Sequence, residues 1–377
     1  MWSAARHLRL RCAVMDRSDP DPAVDTSQPI GLVSVVIPNF NYARFVAQAI
    51  ESALSLDWPH VEVIVVDDGS TDDSRQVIDR YRERVTIIHQ ANGGQIAACN
   101  AGFARARGDA VVFLDSDDVL HPALIREAAA VWRRGLSKVQ FQMRVIDADG
   151  RPTGAFLPQF HVVPTSEDVK RWVMTAASYP TPPGSGNVYS RSYLEKIFPL
   201  VGEDRAADSY CLAAAPHLGD VVTVAKPLVD YRVHGSNDGA MAKLDARRFA
   251  VELKRAHARY RYAGSLREGA FLPKSSAALD RSLALLPYRL ASLKLLPSEH
   301  PIPSDSSWKV LRDLTIACCT PQGVSRRARA ALCMWSLSVA VAPAPLDGQI
   351  ALWRFSSSSR PELLKRALRA LDVVKAA

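Results

Sequence analysis

Three carboxylates fall within four residues at Asp115-Ser116-Asp117-Asp118, directly after the apolar run Ala110 to Leu114. Carboxylates this close repel one another unless a cation or water lies among them. Their oxygens suit Mg or Mn, and Mg is commonly held between one or two carboxylates and a substrate phosphate. An acidic turn with Asp118 capping the next helix is the plainer reading of the same residues. A calcium loop is excluded, because Leu120 stands where such a loop needs Gly and Arg126 where it needs Glu. A second pair, Asp67-Asp68, ends another apolar run and precedes Gly69-Ser70. Dinucleotide folds hold a ribose hydroxyl at such a place. The first turn, Pro38-Asn39-Phe40-Asn41-Tyr42, has none of the glycines of a pyrophosphate-binding turn, which argues against an NAD enzyme.

These groups can meet only if their strands lie side by side. The chain from residue 33 alternates short β-branched runs with longer amphipathic stretches, the pattern of a parallel sheet flanked by helices. Strands are expected at Val33 to Ile37, Val61 to Val66, Val85 to His89, Ala110 to Leu114 and Val139 to Ile146. Helices are expected at Arg44 to Leu56, Thr71 to Arg82 (opened by Gly69-Ser70-Thr71), Gln95 to Ala106 and Pro122 to Arg134. Ligands of open sheets bind beyond the carboxyl ends of the strands. Those ends carry Pro38 to Asn41, Asp67 to Ser70, Gln90 to Gly94 and Asp115 to Asp118, so one rim is the candidate site.

The series VSVVIPNFNYARFVAQAIESAL, VEVIVVDDGSTDDS, NGGQIAACNAGFARARGD and VVFLDSDDVLHP, from Val33 to about Gly150, resembles the nucleotide-sugar-binding half of the family 2 glycosyltransferases. The resemblance implies an α/β, GT-A type, Rossmann-like and mostly parallel sheet flanked by helices. It also implies a nucleotide-sugar donor, foremost a UDP-sugar. By resemblance Asp68, with Asp67 beside it, contacts the base, and Pro38 and Asn41 flank the nucleotide. Asn92, Gly94 and Asn100 then lie near the uridine and the acidic turn. Asp115 with Ser116 meets the ribose, and Asp117 or Asp118 holds Mn or Mg. Many relatives carry Arg where this chain has Cys99.

The acceptor half, by the same resemblance, contains Gly184 to Arg191 with Gly186 and Asn187, a Glu-Asp motif, and the segment Tyr231-Arg232-Val233-His234-Gly235. Relatives place the catalytic Asp about 23 residues before the Tyr of the last segment. Asp208 precedes Tyr231 by 23 residues and Asp204 by 27, so Asp208 is the expected general base and Asp204 the alternative. His234 is an expected third metal ligand. The implied chemistry is a single inverting displacement onto a hydroxyl of a glycan or lipid-linked acceptor. A non-catalytic scaffold of the same fold, binding glycan or nucleotide sugar, is the competing reading, and the placement of Asp208 discriminates the two.

The charge of +8 over 377 residues is uneven. Residues 241–377 hold 23 basic and 10 acidic side chains, whereas residues 1–240 hold 24 and 29. The expected organisation is a disordered leader over 1–30, a transferase domain over 31–240 (a donor half 31–150, an acceptor half 151–240) and a basic helical region over 241–377. Either Met1 or Met15 could be the start. No base-reading motif supports nucleic acid as a partner. Cys12, Cys99, Cys211, Cys318, Cys319 and Cys333 form no CxxC pair, which favours a reducing, cytoplasmic home. Helices are expected over Lys243 to Ala263 and Ala277 to Leu295. The uncharged run Ala330 to Leu346 is broken at Pro343 and too short to span a bilayer, and a buried and an interfacial helix both fit it. The basic amphipathic stretch Pro361 to Lys375 suits an anionic membrane surface, here the inner face of the cytoplasmic membrane, as a further partner.

Overall fold

The computed structural model describes residues 30–160, 162–202, 206–234, 245–266, 277–320, 322–355 and 359–370. Asp204 and its neighbour Glu203, Gly235, Cys12, all but the last residue of the leader, and residues 371–377 lie outside the described residues.

Nine strands form one sheet: β1 (Val33–Asn39), β2 (Val61–Asp67), β3 (Thr86–His89), β4 (Ala110–Phe113), β5 (Val119–Leu120), β6 (Leu136–Ile146), β7 (Pro152–Leu157), β8 (Asn187–Ser190) and β9 (Asp220–Arg232). Their order is β3-β2-β1-β4-β8-β6-β9-β5, with β7 on β6. The first four are parallel, as the alternating pattern implies. Beyond β4 the sheet turns mixed. β8 pairs antiparallel with both β4 and β6, and β9 runs parallel to β6. The run expected at Val139 to Ile146 is therefore a strand but not the neighbour of β4. The four residues of β8, buried on both faces, come between them, and so short a run leaves little periodicity to read.

Apolar side chains on both faces of β1 and β2 explain why two layers of helix cover them. Val35, Ile37 and Val65 pack with Ala49, Ile50 and Ala53 of α1 (Val46–Leu54). Val36, Ile64 and Val66 pack with Ala98, Cys99 and Phe103 of α3 (Gly94–Arg105), which follows α2 (Ser74–Asp79). Gly102 lets α3 lie close to the sheet, since a β-carbon there would come 2.3 Å from Val36 Cγ1. α4 (Leu124–Ala129), α5 (Ser166–Ala176), α6 (Arg191–Leu194) and α7 (Ala207–Leu218) complete this unit. α2 opens at Asp73 rather than at Gly69-Ser70-Thr71. Ser70 and Thr71 are instead bonded to the first turn: Ser70 Oγ accepts from Asn41 N (3.0 Å), and Asn41 Oδ1 accepts from Thr71 N (2.7 Å).

The C-terminal region is helical. Its elements are α8 (Ala246–Ser265), α9 (Ala277–Asp280), α10 (Leu286–Leu295), α11 (Ser307–Cys319), α12 (Arg326–Val341), α13 (Leu346–Phe355) and α14 (Glu362–Ala370). The single helix expected over Ala277 to Leu295 is broken, and α10 starts with Pro287 in its first turn, where a missing N–H costs nothing. Phe249, Leu286, Leu290, Leu314, Val339 and Ala351 form a separate core. Arg289 is buried within this region, donating to Asp305 (2.6 and 2.9 Å) and Asp313 (3.2 Å). α8 joins the two parts, its Tyr262 ring meeting Tyr210 of α7 edge-on at 4.8 Å.

Candidate active site

The rim beyond β1, β2 and β4 collects the expected polar ends. Asp67 and Asp68 are both buried. Asp67 faces Asn39 Nδ2 (3.4 Å) and His89 Nδ1 (3.4 Å). Asp68 holds the loop before α3, accepting from Gln90 Nε2 (2.6 Å), Gly93 N (2.9 Å) and Gly94 N (2.7 Å). Its carboxylate thereby fixes the backbone around Asn92 and Gly94, both exposed on the rim. Gly69 has a φ of 75° and touches that loop, because a β-carbon on it would lie 2.7 Å from Asn92 N. Asn41 also has a positive φ, 60°, which Asn tolerates better than most residues.

The acidic turn follows β4. Ser116 Oγ donates to Pro38 O (2.8 Å), tying the turn to β1. Asp115 N donates to Ser185 Oγ (3.0 Å), and Asp115 Oδ1 accepts from Gln95 Nε2 (3.0 Å). Burial first, then the charges of Asp118, Asp117 and Asp208, push the Asp115 carboxyl well above its ordinary range. Burial and the neighbouring Asp117 push Asp118 up to about 8. Asp117 Oδ2 lies 2.9 Å from His234 Nε2. The imidazole is held in place by stacking on Phe45 (centroids 5.1 Å) and by an edge contact with Tyr42 (5.7 Å).

Asp208 sits in the first turn of α7, half-buried. It faces the acidic turn across Gly184: a β-carbon on Gly184 would lie 3.7 Å from Asp208 Oδ2 and 3.8 Å from Asp115 Oδ2. Gln95 spans the same gap, its Oε1 accepting from Ala207 N (3.2 Å) while its amide serves Asp115. Behind these groups is a cavity of about 10 Å³ reaching Cys99, Tyr189 and Cys211. It is far too small for a sugar.

Residues 34–198 match the family described as Glycosyl transferase family 2. An uncharacterized glycosyltransferase of Nostoc sp., alr2836, is 37% identical over 214 residues, covering 55% of this chain and 66% of that protein. The Staphylococcus aureus poly(ribitol-phosphate) beta-N-acetylglucosaminyltransferase TarS is 30% identical over 130 residues, 33% of this chain and 23% of that protein. The chain thus spans just under two thirds of the first relative and about a quarter of the second. A crystal structure of S. aureus TarS 1-349 in complex with UDP-GlcNAc has the same fold, at a TM-score of 0.50 and 18% identity, over 89% of this chain and 92% of that one. Residues 34–198 thus form a domain of glycosyltransferase family 2.

Within this family 2 domain the expected residues divide by what they touch. Pro38, Asp115, Ser116, Asp117, Asp208 and His234 gather around the acidic turn. Asn100 is spent elsewhere, its side chain paired with both Leu200 O (2.9 Å) and Leu200 N (2.8 Å). Gly186 and Asn187 are fully buried behind the site. Asn187 donates to Pro183 O and Gly184 O and accepts from the buried Lys138 Nζ (2.7 Å), so it shapes the Gly184 turn from below.

The metal expectation can be tested on the side chains. Asp117 and His234 converge, and a Mg or Mn on this pair would take its remaining oxygen ligands from water and donor phosphates. Asp118 is directed inward: it is buried, its Oδ1 accepts from Arg232 N (3.0 Å), and Ser185 lies beside its carboxyl. Among the described residues no group of three or more His, Cys, Asp or Glu side chains is placed to hold a metal ion. Asp117 and His234 are the two side chains of the acidic turn that this arrangement leaves to such an ion.

Four residues of the site escape a reading by motif. Arg232, fully buried, donates from Nε to Asp117 O (2.8 Å) and from a terminal nitrogen to Gln48 Oε1 (2.6 Å), and its guanidinium lies 5.0 Å above Phe45. With Gln95, Tyr42 and Phe45 it sets the acidic turn and His234. All four lie inside quoted motifs. Their sequence neighbours carry no signal of these contacts: Gln95 stands between Gly94 and Ile96, Arg232 between Tyr231 and Val233, and Tyr42 and Phe45 are about 190 positions from His234.

Proposed function

We propose that this chain is an inverting glycosyltransferase that moves a sugar from a nucleotide-sugar donor, foremost a UDP-sugar, to a hydroxyl of a glycan or lipid-linked acceptor. The single observation that carries the reading is Asp208, at the first turn of a rigid helix, facing the acidic turn across Gly184. In a non-catalytic scaffold nothing requires a carboxylate at that place. TarS, similar over 33% of this chain, is named for transfer of N-acetylglucosamine to poly(ribitol-phosphate), which supports a polymer hydroxyl as acceptor class.

Asp208 would take the proton from the acceptor hydroxyl as its oxygen attacks the anomeric carbon, from the face opposite the leaving nucleoside diphosphate. One positioned carboxylate suffices for this step, and the configuration inverts. Asp115 and Ser116 would meet the ribose, and the loop fixed by Asp68 would carry the base. Bound Mg or Mn, on Asp117 and His234, supplies charge neutralisation for the diphosphate. Arg232 and Gln95 keep Asp117 and Asp115 in place. A basic C-terminal region would hold the domain at the cytoplasmic face of an anionic membrane.

The test is a panel of nucleotide sugars with Mn or Mg, read as donor binding and donor hydrolysis. Asp208→Asn should bind donor normally and lose turnover. Turnover equal to wild type would remove Asp208 from the mechanism.

A further inference from the structure

Only Ser336 and Val339 of α12 are buried. Its outer face presents Ala330, Met334, Leu337 and Val341, at the i, i+4, i+7, i+11 spacing that places side chains along one side of a helix. Met334, Leu337 and Val341 are 58%, 53% and 79% exposed. The stripe does not stop with the helix. Pro343, Ala344, Pro345 and Leu346 in the following turn are exposed as well. No charged residue occurs from Ala330 to Leu346. Basic groups stand at both ends: Arg326 and Arg327 are exposed at the start, and Lys294 Nζ donates to Ala340 O (3.3 Å) near the finish.

We propose that this face of α12, with the turn Pro343 to Leu346, is the surface by which the protein docks on an anionic bilayer. The inference rests on the membrane reading above and assigns the contact to α12 instead of the basic stretch from Pro361 onward. A helix of 16 residues is about 24 Å long and can lie in the interface with its apolar side down, while basic residues at its ends reach lipid phosphates. Among the described residues no helix is long and apolar enough to cross a membrane, in keeping with a helix that lies on one. Charge selects the occupant. Residues 241–377 carry 23 basic and 10 acidic side chains, so a second copy brought to this face would meet like charge, whereas an anionic surface meets opposite charge.

The experiment is flotation of the full chain with phosphatidylcholine vesicles containing roughly a third phosphatidylglycerol, at low salt. Wild type should float with these and not with pure phosphatidylcholine. Leu337→Asp with Val341→Asp should lower binding at least about tenfold, from the loss of two apolar insertions. Arg326→Gln with Arg327→Gln should lower it about fivefold per arginine. Both variants should keep the wild-type melting temperature and donor hydrolysis, since the stripe is outside the active site. Absence of flotation, or flotation untouched by the aspartates, would overturn the proposal. A wild-type oligomer that the aspartates dissolve would overturn it in favour of a second copy. Flotation needs neither donor nor turnover, so it can fail or succeed independently of the transferase reading.

Discussion

Gly184 separates the proposed base from the acidic turn, and replacing it by Ala tests that geometry more sharply than deleting either carboxylate. The added β-carbon would sit 3.2 Å from Asp208 Cβ, closer than the 3.5 to 4.0 Å at which carbon contacts are favourable. The backbone there is not in the left-handed region, so the substitution adds no backbone strain. Asp208 must therefore yield by a few tenths of an ångström. A misplacement of about 1 Å can cost a hundredfold in rate, so this shift should cost about 4- to 10-fold in kcat. Overpacking should take about 1 kcal/mol from stability, and donor affinity should change less than about twofold. Metal-dependent donor hydrolysis, donor binding by calorimetry and a denaturant titration read the three in turn. Asp208→Asn should lose about 100- to 10,000-fold, and in that background Gly184→Ala should do little more, because the group it displaces no longer acts. If the loss from Gly184→Ala appeared in full on top of Asp208→Asn, or were a loss of donor affinity, the placement of the base across Gly184 would be wrong.

The remaining expectations use the same side-chain contacts. Arg232→Lys cannot reproduce bonds to Asp117 O and Gln48 from one ammonium, so the Mn concentration for half-maximal donor binding should rise roughly 10- to 100-fold, while metal-independent nucleotide binding stays constant. Asn100→Ala should cost about 1 to 3 kcal/mol of stability by stranding both backbone groups of Leu200, with unchanged donor affinity; a selective loss of donor binding would return Asn100 to the nucleotide. In the C-terminal core, hydrogen bonds and charge from His300, Arg289 and Lys309 outweigh burial and hold Asp305 far below its usual 3.8. A depressed carboxyl stabilises the fold above its unfolded value, so this stability should be intact at pH 5 and drain away as pH falls below about 3.8. Asp305→Asn should flatten that slope in denaturant titrations and cost about 3 to 5 kcal/mol at neutral pH by leaving Arg289 buried with half its partners.

The donor half was legible because short β-branched runs end in polar clusters, and parallel strands bring such ends to one rim whatever their separation in sequence. The order of the second half of the sheet was not legible. β8 is four residues long and owes its place between β4 and β6 to pairings 47 to 80 positions away, which no local pattern encodes. Ser70 and Thr71 show a related limit. Both are good helix caps by type, yet they bond to the first turn, because Asn41 reaches Ser70 with its backbone N–H and Thr71 with its side chain once β1 and β2 lie in register. Ser70 also meets the Asn39 amide, so local propensity loses to neighbours that only the fold supplies.

Acidity in the site follows the same division. The sequence shows the carboxylates but not their separate tasks. Asp68 is spent on three hydrogen bonds from the loop before α3, Asp67 on Asn39 and His89, and Asp118 on the backbone of Arg232. Each holds a turn in place by accepting N–H groups. Asp117 is different: it meets an imidazole held against two aromatic rings, and the pair presents an oxygen and a nitrogen side by side at the rim. Asp115 and Asp208 face one another across a glycine, and Cys99, where relatives were expected to carry Arg, lines the cavity behind them and brings no positive charge. The Asp115 carboxyl is raised first by its burial, then by Asp118 and Asp117, and after them by Asp208. A Cys99→Arg variant provides the last check. A guanidinium in or beside that cavity should lower the Asp115 pKa and shift the acidic limb of the donor-binding pH profile downward. An unchanged limb would mean that Asp115 does not control donor binding.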